Sequence, residues 1–295
     1  QAGSTFLIGD PAHAQRQPWV GTSSWTDLPR VLAVEAGGTT RDTGLRNSQR
    51  PAGAPELEVS EVMVPSHDGV RVPLAVIQRK GLARDGSNPT MLIGYGAYGF
   101  TFQAFYDPRF AAWMERGGVV AMANVRGSGA FGDPWHRAGF KTTKPNTWKD
   151  GIAAARWLVS EGYATPQTLG IWGTSAGGIF VGRATTEAPE LFAAAIYNVG
   201  LMDGLRSEES ANGITNISEF GTVADLAREI ASLPERQHIL LTEALDVAQP
   251  AHIARLKEAL AGCDVRPVVF LRNQVDWLQA IFAEEQKWFT ATTFD

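Results

Sequence analysis

Ser175 is the side chain best placed by its surroundings to do covalent chemistry. It stands in Gly173-Thr174-Ser175-Ala176-Gly177, a G-x-S-x-G pentapeptide. The apolar run Leu169-Gly170-Ile171-Trp172 precedes it, and the small residues Ala176-Gly177-Gly178 follow. A strand that turns sharply into a helix holds a serine in strained backbone geometry and needs small neighbours. The amino end of the helix also offers free N–H groups and positive potential where an oxyanion would form. The plain alternative is a serine capping an ordinary helix.

Upstream lies a second glycine cluster, Gly94-Tyr95-Gly96-Ala97-Tyr98-Gly99. It satisfies G-x-G-x-x-G and so raises a dinucleotide site. Against that, the next helix begins several residues late, near Pro108, and Glu115 falls before the next strand rather than at its end. The other reading is a backbone loop that lies over the serine turn and donates to an oxyanion.

Both motifs require a scaffold that brings strand ends together. Residues 58–64 and 71–77 alternate apolar and polar around His67-Asp68-Gly69, which reads as a β-hairpin. Strand-like runs follow at Met91-Leu92-Ile93, Val119-Val120-Ala121-Met122-Ala123, Leu169 to Trp172 and Ala194-Ala195-Ile196-Tyr197. Helical patterns fall between them, over 108–116, 146–161 and 175–185. In the second, Trp148, Ile152, Ala155, Leu158 and Val159 share one face. The alternation continues with helices over 224–233, 250–261 and 274–289 and strands over 238–243 and 266–272. The fold class is therefore α/β, a mostly parallel sheet with helices on both faces and its site beyond the carboxyl ends of the strands. Residues 1–56 are richer in Gly, Pro and Thr, and read as a leader or linker with one or two edge strands, such as Phe6-Leu7-Ile8 and Val31-Leu32-Ala33-Val34.

Composition narrows the function classes. The 295 residues are 44% hydrophobic and 19% charged, which argues for a packed core rather than disorder. A net charge of −5 argues against a nucleic-acid partner. No apolar run is long enough to span a membrane, and no signal peptide is visible, so the sequence leaves the compartment open. Cys263 is the single cysteine, which excludes an internal disulfide framework and a cysteine-cluster metal site. If Ser175 carries out covalent acyl transfer, no metal and no organic cofactor is needed.

Several motifs in one order carry a resemblance. They are Val64-Pro65-Ser66-His67-Asp68-Gly69, Lys80-Gly81-Leu82, Asp85-Gly86-Ser87-Asn88-Pro89, Gly94-Tyr95-Gly96, Ala123-Asn124-Val125-Arg126-Gly127, Trp135-His136, Glu161-Gly162-Tyr163, Gly173 to Gly178, and Val199-Gly200-Leu201-Met202-Asp203. Over residues 57–222 the chain resembles the catalytic domain of the prolyl oligopeptidase family of serine peptidases. The resemblance implies an α/β-hydrolase fold over 57–295, with 223–295 atypical, preceded by a remnant of a β-propeller in 1–56. It implies acyl transfer through Ser175 on a peptide or small ester, with Tyr95 and the Ala176 N–H as oxyanion donors. Asp246 matches the place of the family's acid, although a capping or loop aspartate is equally natural there. A site not covered by the rest of a propeller is expected to favour activated esters over peptides.

The sequence departs from the family at the base. Its five histidines are His13, His67, His136, His238 and His252. The family position falls near Val275 or Asp276, where no histidine stands. His136 belongs to a family motif outside the triad. His238 sits at the amino end of its strand, about 16 Å from the correct end. His252, after Pro250, is the one geometric substitute. The general base is therefore left unassigned, and without one a serine is a weak nucleophile. Asn216 occupies the position where the family often stacks an aromatic ring on a substrate proline, and Val247 to Gln249 hold no arginine after the acid. A second reading is an inactive or truncated hydrolase-like protein. A third is a fragment similar to bacterial sulfotransferases, on Val268-Val269-Phe270-Leu271-Arg272 and Asp276-Trp277-Leu278, although no phosphate-binding loop accompanies it.

Overall fold

The computed structural model describes residues 3–8, 18–46, 53–201 and 213–222. Two sheets are present. The first is antiparallel and four-stranded, in the order β1 (Gly3–Ile8), β2 (Trp19–Ser24), β3 (Arg30–Val34), β4 (Thr40–Asp42). This segment is more regular than the linker with one or two edge strands read from its sequence. Its strands are short, rich in Gly, Ser and Thr, and largely half-exposed, so apolar alternation does not announce them.

The second sheet has six strands: β5 (Leu57–Pro65), β6 (Arg71–Arg79), β7 (Thr90–Gly94), β8 (Val119–Ala123), β9 (Leu169–Thr174) and β10 (Ala194–Asn198). Their spatial order is β10-β9-β7-β8-β6-β5. The β5–β6 hairpin and the β6–β8 pair are antiparallel; β7–β8, β7–β9 and β9–β10 are parallel. The hairpin and all four later strands stand where the sequence pattern puts them, within a few residues at each end.

Alternation along the central strands divides the core in two. Val72, Leu74 and Val76 of β6, with Val119, Ala121 and Ala123 of β8, face one side. That side packs against α3 (Pro145–Ser160) through Trp148, Ile152 and Leu158, and against α4 (Gly177–Glu187) through Phe180 and Val181. Ala75, Ile77, Val120 and Met122 face the other side, against Met114 and Phe110 of α1 (Pro108–Glu115). Successive side chains in a strand point to opposite faces, so an almost continuous apolar strand is the mark of a sheet covered on both sides. A short helix α2 (Asp133–Arg137) and a helix α5 (Gly213–Phe220) complete the described elements. Neither is marked by a long apolar stripe. The expected elements beyond residue 223 lie outside the described residues.

Candidate active site

The turn at Ser175 is set by the end of β9 and the start of α4. Ser175 adopts φ 54°, the left-handed region that non-glycine residues avoid. Backbone bonds hold it there. Its N–H donates to the Asn198 carbonyl at 3.0 Å, and its own carbonyl accepts from Leu201 N at 2.7 Å and Gly178 N at 2.8 Å. The first turn of α4 is squeezed between two other segments. A Cβ on Gly177 would stand 3.0 Å from the Gly94 carbonyl, and one on Gly178 would stand 2.7 Å from Leu201 N. Glycine at 178 is needed for residues 200–201 to close on the turn, and a side chain at 177 would require the β7 loop to give way by a few tenths of an ångström. Ser175 is exposed, whereas Ala176 behind it is buried. Among the described residues no backbone carbonyl accepts from the Ala176 N–H.

The glycine-rich loop after β7 lies beside this turn. α1 begins only at Pro108, so no helix N-terminus meets the glycines as a dinucleotide site requires. Instead the half-buried Tyr95 packs against the turn, its ring Cδ2 3.4 Å from where a Cβ on Gly177 would stand. Burial pushes the Tyr95 phenol above its ordinary value, against the effect of nearby Ser175, and Glu219 adds to the rise. The phenol is therefore a protonated donor at neutral pH. Its ring packs edge-on against Phe100 at 5.3 Å and lies 6.4 Å from the Tyr98 ring.

Beneath the loop runs the segment 124–128, anchored by a buried ion network. Arg126 bonds Asp150 of α3 at 2.6 Å and Asp68 of the β5–β6 turn at 2.5 Å. Ser66 donates to Asp150 at 2.6 Å. Burial works against the Arg126 charge, but the bonds to Asp150 and Asp68 outweigh it and raise its pKa. Arg126 in turn holds Asp68 well below the usual carboxylate range. Two of the sequence motifs, Ser66-His67-Asp68-Gly69 and Asn124-Val125-Arg126-Gly127, thus meet as one support. Above it, Gly127 O accepts from Gly99 N at 3.2 Å and Arg126 O accepts from Thr147 Oγ1 at 2.7 Å.

α5 closes the other side of the loop. Buried Glu219 accepts from the Tyr98 N–H at 2.9 Å and bonds His136 Nε2 at 2.9 Å. Buried Asn216 accepts from the Tyr98 hydroxyl at 2.8 Å, and Phe220 meets the Tyr98 ring edge-on at 5.7 Å. Burial, helped by Tyr95 and Glu219, pushes the Tyr98 phenol up to about 12. Lys144, also buried, donates to the Gly96 carbonyl. Sequence reasoning missed Lys144 and Glu219. The available signal was a lysine immediately before Pro145 at a helix start, where the macrodipole disfavours a cation.

Of the residues singled out from the sequence, the structure brings Ser175, Ala176 and Tyr95 together. Asp246, His13, His238 and His252 lie outside the described residues. His136 is engaged with Glu219, and His67 lies 3.2 Å from Ser66 Oγ. Among the described residues no three of His, Cys, Asp and Glu cluster as a metal site would need. No helix of the described residues is long and apolar enough to cross a membrane.

Strand order and serine elbow together define an α/β-hydrolase. Comparison with known proteins carries this further. Residues 104–232 match the sequence model described as "Prolyl oligopeptidase family". The prolyl endopeptidase of Elizabethkingia meningoseptica is 39% identical over 172 residues, covering 58% of this chain and 24% of its own. A solved structure from a study of two prolyl endopeptidases aligns with a TM-score of 0.70 at 31% identity, over 90% of this chain and 36% of the other. Prolyl oligopeptidase B from Galerina marginata, solved bound to a 25mer macrocyclization substrate, aligns with a TM-score of 0.65 at 27% identity, over 75% of this chain and 31% of the other. The matched segment is thus similar in sequence and in fold to proteins of the prolyl oligopeptidase family. The chain spans about a quarter of the length of the curated relatives it matches.

Proposed function

We propose that this chain is a serine-type hydrolase acting on peptides or small esters through an acyl-enzyme on Ser175. The observation that carries the reading is the exposed Ser175 on a strained strand–helix turn with Tyr95 packed against it. In the proposed step the Ser175 oxygen attacks the carbonyl carbon, and the oxyanion that forms accepts from the Tyr95 O–H and the Ala176 N–H. Both donors are neutral and in place beforehand, which is what makes such a hole effective. The proton that Ser175 gives up on attack passes through the unassigned base to the leaving group as the carbon–nitrogen or ester carbon–oxygen bond breaks; water then adds to the acyl carbon, the bond to the Ser175 oxygen breaks, and that oxygen takes back a proton from the water. Asp246 is the proposed acid of the triad, and its partner base stays unassigned. The solved relative bound to a 25mer substrate supports a peptide as the substrate class. The four-stranded antiparallel sheet of residues 3–42 has the form of one propeller blade, which supports a propeller remnant in 1–56 ahead of a catalytic domain over 57–295.

A fluorophosphonate probe tests the reading. Labelling of the folded chain, lost in Ser175→Ala, is the expected result. No labelling, beside a labelled prolyl endopeptidase, would favour the second reading, an unreactive hydrolase fold. That reading draws on the absence of a histidine near Val275.

A further inference from the structure

We infer that Lys144 and Glu219 are positioning residues for Tyr95: together they grip the short loop that carries it, one from each side, and so hold its hydroxyl at Ser175. This rests on the acyl-transfer reading for its kinetic consequence, but not for its geometry.

The loop leaves β7 at Gly94 and must present Tyr95 while making few backbone bonds of its own. Its peptide groups are therefore satisfied from outside. Lys144 Nζ donates to the Gly96 carbonyl, one residue past Tyr95. Glu219 Oε1 accepts from the Tyr98 N–H at 2.9 Å, two residues further on. The two side chains face each other, with Lys144 Nζ 3.9 Å from Glu219 Oε1, and both are buried. The Lys144 ammonium also lies 5.0 Å from the centre of the Phe220 ring, which itself packs on Tyr98. Each ion thus spends one hydrogen bond on the loop and faces the other ion.

Burying an ammonium and a carboxylate is costly unless geometry and hydrogen bonds compensate, so such a pair is weak support for stability. Packing alone would be served as well by apolar side chains. What an ion pair adds here is direction: a cation can only donate to Gly96 O, and a carboxylate can only accept from Tyr98 N. The loop is then fixed in one register, with Tyr95 between the end of β7 at Gly94 and the first anchor at Gly96. Lys144 is carried by the start of α3 and Glu219 by α5, so the grip also ties α5 to the nucleophile side of the sheet.

Double-mutant cycles separate positioning from simple stability. The rate constant for fluorophosphonate labelling of Ser175 is measured in the full chain for Tyr95→Phe, Glu219→Ala and the pair, alongside amide exchange at Tyr98. Glu219→Ala is expected to lower the labelling rate about tenfold, to speed exchange at Tyr98, and to leave Tyr95→Phe with little further effect. Glu219→Gln keeps an acceptor for the Tyr98 N–H and is expected to restore most of both signals. Additive losses in the pair, or wild-type rate and exchange in Glu219→Ala, would overturn the inference. If the wild-type chain does not label, the acyl-transfer reading fails. The grip is then judged by exchange alone, and unchanged Tyr98 protection in Glu219→Ala overturns it.

Discussion

A phenol beside a nucleophilic alcohol donates a hydrogen bond without importing a charge, and this governs what its loss should do. Tyr95 lies against the Ser175 turn, and its proton is held firmly because burial raises the phenol pKa. Tyr95→Phe keeps the ring packing against Phe100 and removes only the donor. On the proposed mechanism it should lower kcat for an activated ester by about 10²-fold, with little change in KM, because the bond strengthens only as the oxyanion forms. An unchanged kcat in steady-state assays would remove Tyr95 from the mechanism. Lys144 gives a second expectation at this scale. Burial pulls its pKa down from 10.5 to about 8, with Glu219 opposing that pull. The folded chain then releases this proton near pH 8, while the unfolded chain keeps it to about its ordinary value. Between those values the unfolded state binds more protons, so this group makes stability rise with pH. Groups facing it include Glu219, His136 through Glu219, and Tyr98, whose raised pKa acts in the opposite sense only above about pH 10. Urea midpoints should therefore show the wild type gaining on Lys144→Met between pH 8 and 10. A constant difference across that range would contradict the assignment.

Elements come next, and here the site depends on what α3 and α4 do under the sheet. Phe180 of α4 is fully buried; its ring fills the space that a Cβ on either Gly94 of β7 or Gly151 of α3 would occupy. One side chain thus sets the distance between the Tyr95 loop, the elbow helix and α3. Phe180→Ala should cost about 3–5 kcal/mol in chemical unfolding, because the ring is at the meeting of three elements that cannot all collapse into the void. A loss under about 1 kcal/mol would mean the site collapses freely. Legibility in the sequence also divides by element. The six-stranded sheet was readable because β8 is a continuous apolar run and the β5–β6 pair brackets the His67-Asp68-Gly69 turn, and the elbow because its glycines are required by close backbone approach. α5 was not readable. It buries Asn216 and Glu219, three residues apart, while Ile214 is left exposed, the inverse of an apolar stripe. Its face is polar because it meets a loop whose backbone needs partners. The same inversion hid Lys144, a buried cation at the start of a helix. What pattern reading captured was the scaffold and the strand–helix turn that presents Ser175. What it missed was the polar contact between α5 and that scaffold, which no periodicity encodes.

At the scale of the whole molecule, the question is whether the amino-terminal sheet influences the serine. Contact between the two sheets runs through Trp25, which follows β2 and is buried in the core on the α1 side. Its indole N–H donates to Glu61 of β5 at 3.0 Å, and its ring lies 5.9 Å from Phe105. Ser4 of β1 donates to the Ala104 carbonyl at 2.7 Å, and Ser23 Oγ of β2 accepts from Tyr106 N at 3.2 Å. All but one of these contacts end on residues 104–106, which follow the Tyr95 loop directly in sequence. A mechanical path from sheet to site therefore exists. It is interrupted at Phe102, whose backbone is held at both ends by one side chain: Asn124 Oδ1 accepts from Phe102 N at 2.8 Å, and Asn124 Nδ2 donates to Phe102 O at 3.0 Å. Asn124 follows β8 directly, two residues before Arg126, and its own N–H donates to the Pro73 carbonyl of β6 at 3.0 Å. Trp25→Ala should accordingly destabilise the chain by about 3–5 kcal/mol, as a buried indole does, and speed proteolysis of the amino-terminal sheet. Ser175 labelling in the molecules that remain folded should stay near the wild-type rate. Asn124→Ala in the same background should then make the labelling rate respond to Trp25. If Trp25→Ala alone slows labelling as much as it loosens the sheet, Asn124 does not insulate the site, and the two sheets act on Ser175 as one body.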